Sequence, residues 1–189
     1  MHNENKVFNP KNMNKLEHPD RYKELPPQDI LDAVGLESGQ VFGDFGCGIG
    51  YFSIPAAERV GKDGHVIAMD ISQEMLDGLK DRLDDAHKSR ITLTRDGIEG
   101  GCLDVAMIST VLHEVDDPQL FLIEASASLR PGGKIAVLEW MKEKMEQGPK
   151  YGIRISEQEM IQMLIKAGFY MEKTIHLSDR FYLIIAVKE

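Results

Sequence analysis

The feature that most restricts the fold is the run Asp44-Phe45-Gly46-Cys47-Gly48-Ile49-Gly50. It overlaps the end of Val41 to Phe45, a short apolar stretch with the length and composition of a strand. The stretch after it, Tyr51 to Val60, puts Phe52, Ala56 and Val60 on one helical stripe, with Pro55 tolerable only in the first turn. Glycine permits a tight strand-to-helix turn and a close approach of backbone to a ligand, and amide groups at a helix start favour an anionic group. Strand, glycine turn and helix in this order open a parallel α/β sheet.

The alternation continues along the chain. Before it, Pro26 and Pro27 open a helix through Ile30, Leu31 and Val34 that stops at Gly35. After it, His65 to Met69 is a second strand closed by Asp70, and Ser72 caps a helix carrying Met75, Leu76, Leu79 and Leu83. Ile91 to Arg95 and Leu103 to Ser109 are the third and fourth strands, and Asp117-Pro118 caps a helix through Leu129. Pro131-Gly132-Gly133 turns the chain into a fifth strand, Lys134 to Trp140. The charged stretch Met141 to Arg154 is expected to be a mobile excursion. Ser156 to Glu159 is a capping-box pattern that opens a helix ending at Gly168. Tyr170 to Leu177 and Phe181 to Val187 are β-rich runs joined only by Ser178, Asp179 and Arg180. So short a connection cannot cross over a sheet, so these strands must be antiparallel neighbours. The expected fold is α/β, Rossmann-like and doubly wound, with a mostly parallel seven-stranded sheet and a C-terminal antiparallel hairpin. The organisation expected is an N-terminal arm over 1–24 and a single domain over 25–189.

Composition narrows the function. The 189 residues, 42% of them apolar, suit one well-buried core and not two full domains. The formal net charge of -9 and the lack of a basic stripe disfavour nucleic acid and anionic membranes as partners. Neither Cys47 nor Cys102 belongs to a Cys/His cluster with metal-ligand spacing, so no metal is expected. Met1 to Pro10 lacks the apolar stretch of a signal peptide, and no apolar run would span a bilayer, which reads as a cytoplasmic protein without membrane insertion.

Asp70, at the end of the second strand, is placed to accept hydrogen bonds from two ribose hydroxyls, so the glycine turn reads as a site for an adenosine-containing cofactor. A dinucleotide fingerprint is G-x-G-x-x-G, whereas this turn reads G-x-G-x-G followed by Tyr51 and Phe52. The acid Asp44 before the glycines is awkward beside a pyrophosphate and suits a positively charged amino group. The run D-F-G-C-G-I-G-Y resembles the first motif of class I S-adenosylmethionine-dependent methyltransferases, and the resemblance covers nearly all of the chain from Leu25 onward. It implies that Asp44, Gly46, Gly48 and Gly50 surround the methionine part and that Asp70 holds the ribose, with Ile71 and Met75 against the adenine. It further implies that Asp96 and the Gly97 amide bind the adenine edge, and that Ser109 and Thr110 lie under the methionine and sulfonium. An ordinary turn is the rival reading for Asp96-Gly97, and simple core for Met75.

On the substrate side, the run Leu112-His113-Glu114-Val115-Asp116-Asp117-Pro118 resembles small-molecule methyltransferases of the ubiquinone/menaquinone-biosynthesis type. The Asn/Asp-Pro-Pro-aromatic motif of many amino- and nucleobase-methylating enzymes is absent. His113 has the chemistry to take a proton from a hydroxyl, thiol or acidic carbon; the other reading is a structural histidine bonded to a backbone or to Glu114. Glu139 and Trp140, at the carboxyl edge of the sheet, are the remaining candidates for a substrate pocket, with a hydrophobic plug as the alternative for Trp140. The expected reaction is direct methyl transfer from S-adenosylmethionine to a small-molecule O, S or C nucleophile, leaving S-adenosylhomocysteine. A nucleotide-dependent oxidoreductase and a non-catalytic cofactor-binding protein of the same fold are the competing readings. The arm (Met13, Leu16, Tyr22) and the excursion after Trp140 are expected to close over the pocket.

Overall fold

A computed structural model describes residues 19–189. Met13 and Leu16 of the expected pocket cover therefore lie outside the described residues. The chain begins with α1 (Pro19–Glu24) and α2 (Pro27–Val34), then alternates β1 (Val41–Phe45), α3 (Ser53–Val60), β2 (His65–Met69), α4 (Gln73–Lys80), α5 (Asp85–Lys88), β3 (Ile91–Thr94) and β4 (Leu103–Ser109). It continues through α6 (Pro118–Ser128), β5 (Leu129–Trp140), α7 (Glu157–Lys166), β6 (Phe169–His176) and β7 (Phe181–Lys188).

The seven strands form one sheet in the order β3-β2-β1-β4-β5-β7-β6. The first five are parallel, β7 runs antiparallel to β5, and β6 antiparallel to β7. The hairpin is thus the expected antiparallel pair, but its second strand is the inner one. Burial explains the order. Phe181 to Val187 is apolar throughout and is buried at every position, as a strand covered on both faces must be. β6 has mixed polarity and is mostly exposed, which suits the edge.

Two apolar layers sandwich the sheet. On one face Leu31 and Val34 from α2, Phe52 just before α3, Ala56 and Val60 in α3, and Leu79 in α4 pack on Phe42, Val105, Met107 and Leu138. On the other, Leu122, Ala125, Met160 and Leu164 from α6 and α7 pack on Ala106, Ile108, Val137 and Tyr182.

Two boundaries differ most from the sequence reading. The helix begun at Ser72 ends at Lys80 and does not reach Leu83, because Asp84 starts a separate short helix by accepting a bond from the His87 amide at 2.8 Å. Leu83 is buried all the same. The fifth strand starts at Leu129, which already pairs with Leu103; Pro131-Gly132-Gly133 lies within the strand where its register shifts. The capping box is present, with Ser156 Oγ accepting from the Glu159 amide and Glu159 accepting from the Ser156 amide.

The excursion after Trp140 is organised by a residue the sequence reading passed over. Arg154 is only 4% exposed, and its guanidinium donates to the carbonyls of Pro149, Met141, Glu143 and Gln147. One side chain gathers the loop into a ring of satisfied carbonyls.

Candidate functional site

The carboxyl ends of β1, β2 and β4 converge on the glycine turn. Gly46, Gly48 and Gly50 all have positive φ, at 75°, 52° and 90°. A Cβ on Gly46 would run into Val111, and one on Gly50 into Leu79, so both space and backbone demand glycine there. The amides of Gly46 and Cys47 donate to the Met69 carbonyl at 2.8 and 2.9 Å, which fastens the turn to the end of β2.

Asp70 stands directly beyond that junction. One of its oxygens accepts from the Gly48 amide at 2.9 Å and the other from the Ser72 amide at 2.8 Å. A carboxylate has about four lone-pair positions, so these bonds orient Asp70 and leave it capacity for ligand hydroxyls. Burial pushes its carboxyl up, against the opposing effect of the two amides.

Asp44 is 2% exposed and accepts a bond from Ser53 Oγ at 2.5 Å. Burial raises its pKa from 3.8 to about 7, the Ser53 bond works against this, and the neighbouring charge of Asp70 adds to it. Two carboxyl groups facing a glycine cradle suit a cationic ligand group. Ser109 Oγ supplies a second observation of fit: it is buried with no hydrogen-bond partner. The next residue, Thr110, is the only non-glycine at positive φ among the described residues, at 56°. Such backbone strain concentrates at ligand sites. Ile71 is 64% exposed, an apolar surface beside the Asp70 edge. Asp96 and Gly97 are exposed in the turn after β3, and nothing lies within 4 Å of a Cβ built on Gly97. Met75 is 4% exposed, with little surface left for a ligand. This set of groups fits S-adenosylmethionine, which carries an ammonium, a ribose with two hydroxyls and an adenine.

The residues expected at the substrate pocket do not stay together. Glu139 and Trp140 are neighbours on β5 and face opposite sides of the sheet, as successive strand residues must. Glu139 is fully buried on the α6/α7 side. Trp140 packs on the other side against Phe181, with ring centroids 4.2 Å apart, and closely over Gly148. The plug reading therefore describes the surroundings of Trp140. A buried acid in an otherwise apolar strand was the one sequence signal that Glu139 has a dedicated partner.

That partner is His113. Its Nδ1 lies 3.0 and 2.9 Å from the two Glu139 oxygens, while its Nε2 is 3.6 Å from Glu114 Oε1. Burial by itself lowers the imidazole pKa, but the bond and charge of Glu139, helped by Glu114, outweigh it, and the net shift is upward from 6.5. His113 lines a cavity of about 830 Å³ walled by Leu112, Val115, Pro118, Ile155 and Met163, with Lys142 and Glu159 also in its lining. Trp140 is absent from that lining.

Short polar links tie the surrounding segments to one another. Arg180, in the β6–β7 turn, bonds Glu24 at the end of α1 and Gln147 in the loop after β5. The Tyr22 ring packs against Tyr51 at a 45° tilt with centroids 4.9 Å apart, and the Arg21 guanidinium lies 4.2 Å from the centre of the Tyr51 ring. Among the described residues no group of three or more His, Cys, Asp or Glu could hold a metal ion, and no helix is long and apolar enough to cross a membrane.

Comparison with known proteins agrees with this geometry. A family described as "Methyltransferase domain" matches residues 43–137. The demethylmenaquinone methyltransferase of Oceanobacillus iheyensis is 29% identical over 117 residues, covering 59% of this chain and 49% of that protein. The ubiquinone/menaquinone biosynthesis C-methyltransferase UbiE of Vibrio parahaemolyticus is 31% identical over 122 residues, covering 61% and 47%. The chain spans less than half the length of these curated relatives. Among solved structures, a SAM-dependent methyltransferase from Aquifex aeolicus superposes with a TM-score of 0.88 at 24% identity, over 96% of this chain and 99% of that one. The [4+2]-cyclase SpnF superposes with a TM-score of 0.73 at 17% identity, over 85% and 80%. The structural likenesses show the fold, and the match over 43–137 shows the family. With the glycine turn, the buried acid before it and the sheet order all in agreement, the chain belongs to the class I S-adenosylmethionine-dependent methyltransferases.

Proposed function

We propose that this protein methylates a small molecule held in the cavity beside His113. The observation that carries the reading is the pairing of a cation-ready glycine turn, with Asp44 buried before it, and a separate cavity lined by His113. When bound, S-adenosylmethionine supplies a methyl group already activated by its sulfonium. Asp44 would hold the ammonium, Gly46, Gly48 and Gly50 would admit the methionine backbone, and Asp70 would fix the ribose. Ser109 and Thr110 would line the floor under the sulfonium, while Ile71, Asp96 and Gly97 would bound the adenine. The protein's own contribution is alignment of an in-line displacement and exclusion of water.

The cavity wall is largely apolar, which suits a ring-bearing acceptor. The curated relatives carry names from ubiquinone and menaquinone biosynthesis, so a quinol or phenol is the first acceptor to test. His113 would take the acceptor proton.

Calorimetric titration with S-adenosylhomocysteine and with NAD, followed by transfer of labelled methyl to a panel of quinols, phenols and thiols, tests this. Micromolar binding of S-adenosylhomocysteine without NAD binding, together with turnover of a panel member, is expected. Tight NAD binding would replace the reading with an oxidoreductase. Cofactor binding without turnover of any panel member would favour a non-catalytic protein. Asp70→Ala should weaken S-adenosylhomocysteine at least ~tenfold, the value of one or two lost hydrogen bonds to a charged group.

A further inference from the structure

The buried pair on β5 bears on how a proton leaves the site. Glu139 sits in a strand whose other inward residues on that face, Ile135 and Val137, are apolar. A carboxylate with no exposure is costly unless it is fully bonded. Glu139 is bonded: besides the His113 ring it faces the His113 amide at 3.4 Å and accepts from the Trp140 amide at 3.1 Å. Both of its oxygens meet Nδ1 of His113, which orients the ring and favours the proton on Nδ1. Only Nε2 is then left for chemistry.

Nε2 has a second neighbour. Glu114 lies 3.6 Å away, too far for a hydrogen bond and close enough for a charge to be felt, and its side chain is 21% exposed. His113 itself is 7% exposed and lines the cavity. In order of increasing exposure the three are Glu139, His113 and Glu114, and of these His113 lines the cavity.

We propose that Glu139 is a positioning residue for methyl transfer, holding His113 so that Nε2 faces the acceptor, and that Glu114 passes the acceptor's proton to solvent. This rests on the acceptor occupying the cavity beside His113. As the methyl moves, the sulfur–carbon bond breaks with its electron pair staying on sulfur. The new bond forms from a lone pair or enolate carbon of the acceptor. The proton lost by the acceptor goes to Nε2, and from there to Glu114 and water. The other charged groups facing this array are Arg154, whose charge opposes protonation of His113, and Asp116 on the cavity rim. Tyr182 faces Glu139 from β7 and donates its hydroxyl to the Ile155 carbonyl.

The test is a nitrogen-15 NMR titration of the His113 ring in the full chain with S-adenosylhomocysteine added, joined to kinetics with a reduced naphthoquinol. In the wild type, Nδ1 is expected to stay protonated and the midpoint to lie above 6.5. A neutral ring protonated at Nε2 at pH 7 would overturn the proposal without any variant. Glu139→Gln should lower the midpoint by about one pH unit or more, since burial then acts unopposed by a full charge. It should lower kcat at least ~tenfold with KM within ~twofold, and shift the acid limb of the pH profile downward. Glu114→Gln should lower kcat ~threefold or more, with added small buffer bases restoring part of it. Both variants should keep S-adenosylhomocysteine affinity within ~twofold of the wild type. Unchanged midpoint, kcat and pH profile in Glu139→Gln would reject the positioning role. A wild type that binds S-adenosylhomocysteine and leaves the naphthoquinol untouched would reject that acceptor, while the titration still judges the relay.

Discussion

Arg180 in the β6–β7 turn holds Glu24 at the end of α1, a pair 156 residues apart in sequence, with Nε donating to Oε1 at 2.6 Å and a terminal nitrogen meeting Oε2. Ser178 of the same turn donates to Glu24 at 2.9 Å. The hairpin at the far end of the chain thereby clasps the helix that precedes the sheet.

That clasp should be measurable as coupling. The side chains are 33% and 16% exposed, so solvent screens part of the interaction. A double-mutant cycle of Glu24→Gln and Arg180→Ala should give ~0.5–2 kcal/mol. Each single variant should also speed proteolytic cleavage between α1 and α2, and a cleavage rate equal to that of the wild type would show that the clasp does not hold α1 down.

Asp44 makes cofactor binding depend on pH. Its folded pKa is raised from 3.8 to about 7, so the folded protein without ligand carries Asp44 protonated below neutrality and ionised above it. A ligand cation needs the ionised form. Affinity for S-adenosylhomocysteine should therefore rise between pH 5.5 and 7.5, by at most ~tenfold per unit, and flatten above. Asp44→Asn should bind weakly and without this slope, as calorimetry across that range would show.

The same group costs stability at high pH. Because the folded pKa lies above the unfolded one, the native state holds the extra proton between 3.8 and about 7, and stability falls as pH rises through that window. The penalty above neutrality is ~4 kcal/mol at most, from ~1.4 kcal/mol per pH unit. Asp44→Asn should accordingly gain melting temperature relative to wild type at pH 8 and lose that advantage at pH 4. An equal difference at both pH values would remove Asp44 as the titrating group.

The glycines separate space from strain. Gly50→Ala puts a Cβ into Leu79 at φ 90°, so it combines overpacking with strain and should cost ~2–4 kcal/mol by urea unfolding. Gly97→Ala has nearly the same φ, 92°, but open space, so only the ~1 kcal/mol of left-handed backbone strain remains. Equal losses in the two variants would contradict the packing assignment at Gly50.

Arg154 gives a spectroscopic handle. Trp140 is the only tryptophan, and the Arg154 guanidinium lies 5.9 Å from its ring centre. Lysine lacks the planar fork needed to reach four carbonyls at once, so Arg154→Lys should loosen the loop almost as much as Arg154→Ala. The expected signs are a red-shifted Trp140 emission and faster cleavage over 141–153. Wild-type emission in Arg154→Ala would mean that the loop is held by other contacts.

What the sequence by itself determined rests on local spacing. The glycine turn lies where Asp44 to Gly50 predict it, β1, β2 and β4 keep their expected bounds, and the capping box at Ser156 and the antiparallel hairpin are both present. Each follows from a period, a cap or a connection length, all short-range properties. The tertiary structure decided what meets across the sheet. Strand alternation in Ile135 to Trp140 separates Glu139 from Trp140, but only the packed sheet shows that Glu139 reaches His113, 26 residues away. The same holds for Arg154 among its four carbonyls and Arg180 on Glu24. Those pairings arise because a charge that the fold takes wholly or partly out of water must find a partner within reach, and no local pattern encodes which one that is.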